Sequence, residues 1–376
     1  MADEEQNLHL KLLLEYSQFR EIDRLVSWLE NRTQRFQPAK HRYQQKRTEN
    51  QFGRWLITMQ TTDGQQMSET FPLLPQKLSD NRSKVEFVKS LCLSFSDMSK
   101  DEATHLVESL LSMIDQFLQG ESDIAKAEKT PKLRFEEAGS RGQITFGKFW
   151  TPRSKRVKQL VELCGEQQAA LVCLRYHSLR MFRGGESSLC PKAFDALFEL
   201  GEAAHVGFAS PLNCQLLGRQ GAKFCSLFPD TDSPFGSLGD FFHIDLMQHP
   251  GGWVLNPPFE EILLKATARR VVDILDESER GAFWFFLTFP DWTDCDGWQI
   301  LDESEWKVDR IDVEPNQLGF QDCYGSPFTA QVKVSLFAMG EPPDSVNLAK
   351  LWNAMRKNGR WRVTEMRSYS IKKKVY

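Results

Sequence analysis

Residues 282–289 read Ala-Phe-Trp-Phe-Phe-Leu-Thr-Phe. A nearly continuous apolar run of this length has few places to go in a folded chain. It suits a central strand buried on both faces, as happens where helices cover both sides of a parallel sheet. A second short apolar run, Trp253 to Leu255, lies upstream and leads into Asn256-Pro257-Pro258-Phe259. The stretch that follows has Pro258 at the first helical position, continues with Glu260 and Glu261, and ends near Gly281. Proline and acids suit a helix start. Strand, proline loop, helix and strand together form a right-handed crossover unit. The Asn256–Phe259 loop then sits at the carboxyl end of its strand, where open α/β sheets bind ligands. Phe241 to Asp245 reads as a further strand of the same sheet.

The rest of the chain is organised around that unit. Simple length scaling divides 376 residues into about two or three compact units. From Leu8 to Leu29 the apolar residues Leu8, Leu12, Phe19, Ile22, Val26 and Leu29 recur at helical spacing, which predicts a long amphipathic helix. A second helix is marked by the capping-box spacing of Ser99 and Glu102 and by the stripe Ala103, Leu106, Leu110, Met113, Ile114 and Phe117, with Gly120 as its stop. Composition turns polar and charged between Gln119 and Lys132, which predicts a domain boundary there. Beyond about Gly142 short apolar runs alternate with helical stretches, the pattern of a largely parallel sheet with covering helices. The expected organisation is a mainly helical domain over residues 1–130, an α/β domain over 131–340 and a basic segment over 341–376.

Composition narrows the function classes. At 41% hydrophobic and 26% charged residues the chain is neither fibrous nor disordered. Its net charge of −4 means that contact with nucleic acid must come from local basic patches. Basic residues interleaved with aromatics run from Lys148 to Lys158, where Lys148, Arg153, Lys155 and Arg156 are candidate phosphate contacts, and recur from Arg356 to Arg362 and from Lys372 to Lys374. A charge run is equally compatible with a solvated face. Eight cysteines without a CxxC pair or a Cys/His run lack zinc-ligand spacing, so no metal is expected and reduced thiols are. The acidic start Met1-Ala2-Asp3-Glu4-Glu5 and the lack of a membrane-length apolar run predict a soluble intracellular protein without a membrane partner.

The proline loop is the strongest chemical signal. A Pro-Pro pair fixes two φ angles and removes two backbone donors, so the strand ends rigidly with its carbonyls outward. An amino group conjugated to an aromatic ring is a poor nucleophile. The Asn256 side-chain oxygen and the carbonyl of Pro257 can accept its two N–H bonds and favour a more tetrahedral nitrogen. Phe259 would stack on that ring. A chance match to this tetrapeptide in a chain this long is on the order of 1%. Standing alone it could still be an Asn-Pro turn capping the next helix.

Several segments in fixed order carry a family resemblance: Arg175-Tyr-His-Ser-Leu179, Phe208-Ala-Ser-Pro-Leu-Asn213, Phe224-Cys-Ser-Leu-Phe-Pro-Asp-Thr-Asp232, Phe235-Gly-Ser237, Asn256-Pro-Pro-Phe-Glu-Glu261 and Phe285-Phe-Leu-Thr-Phe-Pro-Asp-Trp292. Together they closely resemble the phosphorylated-CTD-interacting-factor family of cap-specific adenosine N6-methyltransferases, over about Leu171 to Met339. The resemblance implies a Rossmann-like S-adenosylmethionine-dependent methyltransferase domain preceded by a helical domain. Its substrate would be capped mRNA beginning with 2′-O-methyladenosine, and its location the nucleus. It also implies that Asn256, Pro257, Pro258 and Phe259 form the catalytic loop and that Phe208, Ser210, Pro211, Asn213 and Glu261 surround the cofactor. Arg175 and His177 are candidate RNA contacts. No WW domain with its paired tryptophans is found, so the family's contact with the phosphorylated tail of RNA polymerase II is not carried over.

Other readings remain open at this level. Phe208 to Asn213 lacks Gly-x-Gly and by itself is an apolar strand entering a proline turn. Asp245 is either a cofactor contact at a strand end or a solvated turn residue. His177 and His243 are candidate bases, although this chemistry needs none, which favours structural or RNA-edge roles. The same loop would serve adenine in DNA or a glutamine amide in protein, and a non-catalytic RNA-binding protein could keep the fold.

Overall fold

The structure is a computed structural model that describes residues 2–37, 52–53, 55–56, 74, 81–127, 131–179, 186–201, 203–341, 348–349 and 351–353. The basic runs at 356–362 and 372–374 lie outside the described residues. The chain divides into two compact units, Met1–Gly185 with Phe228–Phe235, and Glu186–Leu227 with Gly236–Tyr376. The expected sequence boundary lies at residue 130, whereas residues 131–185 group with the N-terminal helices. Among the described residues no helix is long and apolar enough to cross a membrane, and all eight cysteines are free thiols.

In the first unit, helices α1 (Ala2–Thr33), α2 (Asn81–Ser94) and α3 (Lys100–Ala127) are followed by a three-stranded antiparallel sheet of β1 (Leu133–Ala138), β2 (Arg141–Phe146) and β3 (Phe149–Trp150). Helix α4 (Lys155–Ser178), broken at Gly165 where φ is 82°, and the short α6 (Pro229–Asp232) complete it. The predicted stripe of α1 is the buried one, with Leu12, Ile22 and Leu29 fully inaccessible, and it packs on α3 and α4. The Ser99–Glu102 capping box forms as expected. Glu102 N–H donates to Ser99 Oγ at 3.2 Å, and Ser99 N–H to Glu102 Oε2 at 3.1 Å. Gly120 does not stop α3, which runs on to Ala127. A glycine ends a helix by entering the left-handed region, and this one keeps helical geometry.

The second unit is built on a six-stranded sheet ordered β6-β5-β7-β8-β12-β9. These strands are β5 (Ala203–Val206), β6 (Lys223–Phe224), β7 (Gly251–Leu255), β8 (Phe283–Pro290), β9 (Lys307–Val313) and β12 (Val334–Gly340). The first four pair in parallel, and β12 pairs antiparallel with both β8 and β9, so the sheet is mixed and the fold is α/β. A small sheet, ordered β11-β10-β4, joins β4 (Ser188–Leu189), β10 (Gly319–Gln321) and β11 (Pro327–Thr329). Helices α5 (Pro191–Gly201), α7 (Glu261–Glu277) and α8 (Asp296–Glu303) complete the unit. All eight residues of β8 are buried, as its continuous apolar run requires. Leu264, Ala268 and Val271 of α7 and Trp298 and Leu301 of α8 share a core with Trp253, Phe285 and Phe337.

Two sequence expectations change here. Phe241 to Asp245 is a turn, not a strand. Asp240 accepts from Phe242 N–H at 3.1 Å and contacts His243 Nδ1 at 2.8 Å, and its carbonyl takes the His243 and Ile244 amides, which curls the segment away from the sheet. Helix α7 begins at Glu261, not at Pro258, because the Pro258 carbonyl first takes the Glu260 N–H in a tight turn at 2.7 Å.

Candidate active site

The chain passes from β5 to β6 on one side, then to β7 and β8 on the other, so its direction along the sheet reverses between the neighbouring parallel strands β5 and β7. Such a switch point opens a crevice at the carboxyl ends of the strands. Two loops leave the sheet there. Gly207–Asn213 follows β5, and Asn256–Phe259 follows β7. Gly207 N–H donates to the Val254 carbonyl at 3.0 Å, which extends the β5–β7 pairing to the mouth of the crevice. A side chain at Gly207 would collide with Leu255 Cδ2 at 2.3 Å, so the close approach of the two strand ends requires glycine.

The β5 loop is held by a reciprocal pair. Ser210 N–H donates to Asn213 Oδ1 at 2.7 Å and Asn213 N–H to Ser210 Oγ at 3.3 Å, with both residues buried. Ser210 Oγ donates in turn to the buried Glu186 carboxylate at 3.0 Å. Pro211 is buried between them, and Phe208 leans on Phe241 with centroids 5.0 Å apart. Side chains at Ser210 and Asn213 therefore shape the loop.

In the β7 loop, Asn256 Nδ2 donates to the Ser187 carbonyl at 3.4 Å. That contact turns the amide so that Oδ1 is buried without a hydrogen-bond partner. An orphaned buried acceptor costs about 1–3 kcal/mol, and native structures rarely leave one unexplained. Among the described residues the Pro257 carbonyl also accepts no hydrogen bond, whereas that of Pro258 is occupied by Glu260. Asn256 Oδ1 and the Pro257 carbonyl are thus two open acceptors on one rigid loop. Phe259, half-buried, meets Trp292 edge to face at 6.3 Å. The crevice can present two acceptors and an aromatic face to a planar amine.

Residues 154–324 match the family described as "Phosphorylated CTD interacting factor 1 WW domain". The family read from the sequence is the family that matches. Over 109 residues the chain is 37% identical to the Homo sapiens protein named "mRNA (2'-O-methyladenosine-N(6)-)-methyltransferase" and 36% identical to its Mus musculus counterpart. The aligned stretch covers 29% of this chain but only 14% of each relative's length. Although the description includes the term WW domain, the matched residues run from α4 to beyond β10 and include the β5, β7 and β8 strands with both loops.

The structure brings together in one unit the residues expected around catalysis and cofactor: Asn256, Pro257, Pro258, Phe259, Phe208, Ser210, Pro211, Asn213 and Glu261, with Asp245 on the turn described above. Asp245 is exposed and spends its carboxylate on Met247 N–H at 3.1 Å and Gln248 Nε2 at 3.0 Å, the role of a turn cap. Glu261 is the exposed first residue of α7.

Lys148, Arg153, Lys155, Arg156, Arg175 and His177 all lie in the first unit. Arg175 cannot serve as an RNA contact. It is 3% exposed, its Nε and Nη2 donate to Glu15 at 2.7 and 2.8 Å, Asp230 takes a further pair of bonds, and the guanidinium lies over Phe228. His177 packs edge to face on Phe149 at 5.3 Å. Arg153 pairs with Glu136 at 3.1 Å and Arg156 donates to Gln159 at 2.9 Å. Sequence reasoning missed Glu186 and Ser187, which support both loops. They stand in a short polar run before β4, where neither periodicity nor motif marks them.

Proposed function

We propose that this chain is an S-adenosylmethionine-dependent methyltransferase of RNA, modifying the N6 amine of adenosine at the first transcribed nucleotide of capped mRNA. The observation that carries the reading is the buried, unpartnered Asn256 Oδ1 beside the Pro257 carbonyl at a sheet switch point. The names of the human and mouse relatives support the substrate, over the part of the chain that aligns. On this reading the second unit's sheet is the Rossmann-like sheet of such enzymes, and a nuclear location goes with it.

The loop Phe208–Asn213 with Glu261 would hold the cofactor, whose sulfonium supplies an electrophilic methyl group. The protein's part is to position the amine. Asn256 Oδ1 and the Pro257 carbonyl accept its two N–H bonds, which draws the nitrogen lone pair out of conjugation with the ring. Phe259 holds the plane of the base. The amine held in this way would face the methyl group that a bound cofactor supplies, and the surplus proton of the methylated amine would pass to water. No general base is required, in keeping with the place of His243 on a turn, against Asp240.

The test is methyl transfer from labelled S-adenosylmethionine to RNAs that begin with adenosine, capped or uncapped, and to an adenine-containing DNA, followed by nucleoside mass analysis. N6-methylation confined to the capped RNA is expected. Transfer to DNA alone, or none to any substrate, overturns the proposal.

A further inference from the structure

The three-stranded sheet of the first unit has two faces of opposite character, and its register sorts them. Leu133, Phe146 and Phe149 stand in one cross-strand row, and Phe135 pairs with Ile144 in the next. Ile144, Phe146 and Phe149 are buried. That face lies on α4, so closely that a side chain at Gly142 would strike Phe135 and crowd the backbone of Lys158. The intervening residues make the outer face. Arg134, Thr145 and Trp150 form one row across all three strands, Glu136 pairs with Gln143, and Ala138 with Arg141. Trp150 is 59% exposed, and Arg134 and Arg141 are exposed with it. The indole and both arginines therefore share the side of the sheet opposite to Phe149.

Charge decides what this face can receive. Residues 131–158 hold eight basic residues against two acids, in a chain whose net charge is −4. Both acids are spent inside the segment: Glu136 pairs with Arg153 at 3.1 Å and Glu137 with Lys158 at 2.5 Å. Arg134 and Arg141, by contrast, make no ion pair among the described residues. Adjacent strands lie about 4.8 Å apart, so Arg134 leaves the backbone roughly 10 Å from Trp150, with Thr145 between them. Arg141 lies further along β2, roughly 14 Å from Thr145 at about 3.4 Å per residue. An open ring flanked along one flat face by unpaired cations meets the needs of an unstacked base and the phosphates on either side of it. A proline-rich peptide would instead ask for a groove lined by aromatics, and an added peptide strand would read the edge of the sheet, not its face.

We infer that the outer face of β1, β2 and β3 binds single-stranded RNA, with a base stacked on Trp150 and phosphates held by Arg134 and Arg141. The site rests on the reading of the chain as an RNA-modifying protein, but its occupancy can be measured without turnover. Anisotropy titrations of a labelled, uncapped single-stranded RNA of about twelve nucleotides, a length within the span of common single-strand sites, would use the full chain at several salt concentrations. Trp150→Ala is expected to weaken binding about 10-fold, and Trp150→Tyr to retain most of it. Arg134→Ala and Arg141→Ala should each lower the log–log salt slope by roughly 0.7. Glu136→Gln has the opposite sign: it removes a negative charge from the face, releases Arg153 and should tighten binding.

Wild-type affinity and slope in Trp150→Ala and in the Arg134→Ala/Arg141→Ala double variant overturn the inference. All three side chains are exposed, so thermal unfolding of these variants should match the wild type. Trp150-dependent capture of a proline-rich phosphopeptide with RNA binding untouched overturns it as well. Methylation of a minimal capped dinucleotide by the same wild-type preparation separates the two proposals. Its absence would remove the proposed activity while the RNA titrations still decide the sheet face.

Discussion

Replacing Arg175 with methionine should destabilise the first unit without altering RNA recognition. The substitution keeps the volume and removes the guanidinium, which leaves Glu15, 4% exposed, without its partner. Breaking a buried ion pair from one side typically costs about 3–5 kcal/mol. In the wild type, burial pushes the Glu15 carboxyl up and Arg175 pulls it part of the way back. Burial pulls the Arg175 guanidinium down, but Glu15 and Asp230 outweigh it and keep it firmly protonated. Without Arg175 the carboxyl can escape its penalty by taking up a proton. Holding an ordinary carboxyl protonated costs about 3.7 kcal/mol at pH 7 but only about 1 kcal/mol at pH 5, which caps the loss at each pH.

The sign follows from linkage. The variant's Glu15 has a folded pKa above its unfolded value, so between the two the folded state binds more protons. Stability is then retained at acidic pH and lost as pH rises through the folded pKa, by up to about 1.4 kcal/mol per unit. Urea unfolding of wild type, Arg175→Met and Arg175→Met/Glu15→Gln at pH 5.5 and 7.5 tests this, with the double variant expected to recover most of the loss. A change below about 1 kcal/mol at pH 7.5, or no recovery in the double variant, refutes the argument. A fall in RNA affinity of the folded variant would return Arg175 to the RNA contacts.

Other expectations follow from the same contacts. Asn256→Ala should lower kcat by about 10²–10³ while cofactor affinity, measured by calorimetry, stays within a few-fold, since its oxygen acts on the amine in the transition state. Phe259→Ala should cost roughly 1–3 kcal/mol in RNA binding and Phe259→Tyr much less, whereas equal damage would make Phe259 a packing partner of Trp292. Glu186→Ala removes a hydrogen bond to a charged group, commonly about 1.5–3 kcal/mol, and should weaken cofactor binding but not RNA affinity; unchanged cofactor affinity would detach Glu186 from the site. Ser99→Ala should cost about 1 kcal/mol of stability by breaking the α3 capping box, read by thermal unfolding.

The local chemistry of single segments was legible in the chain itself. The stripe of α1, the Ser99–Glu102 box, the burial of β8 and the position of Asn256 after β7 depend on near neighbours, whose spacing a sequence displays directly. Phe241 to Asp245 misled because a short apolar run is shared by strands and by turns tucked under a core, and only Asp240 and its partners select the turn. Arg175 looked like a phosphate contact because a basic residue carries no mark of what will surround it. Glu15 lies 160 residues away in sequence, and packing of α1 on α4 turns that arginine into an internal ion pair. The crevice has the same origin. Strand order brings the loops after β5 and β7 side by side, and the backbone of Ser187, unmarked in the sequence, turns Asn256 so that its oxygen is left open. Contacts between residues far apart along the chain are set by which faces bury together, and only the tertiary structure decides that.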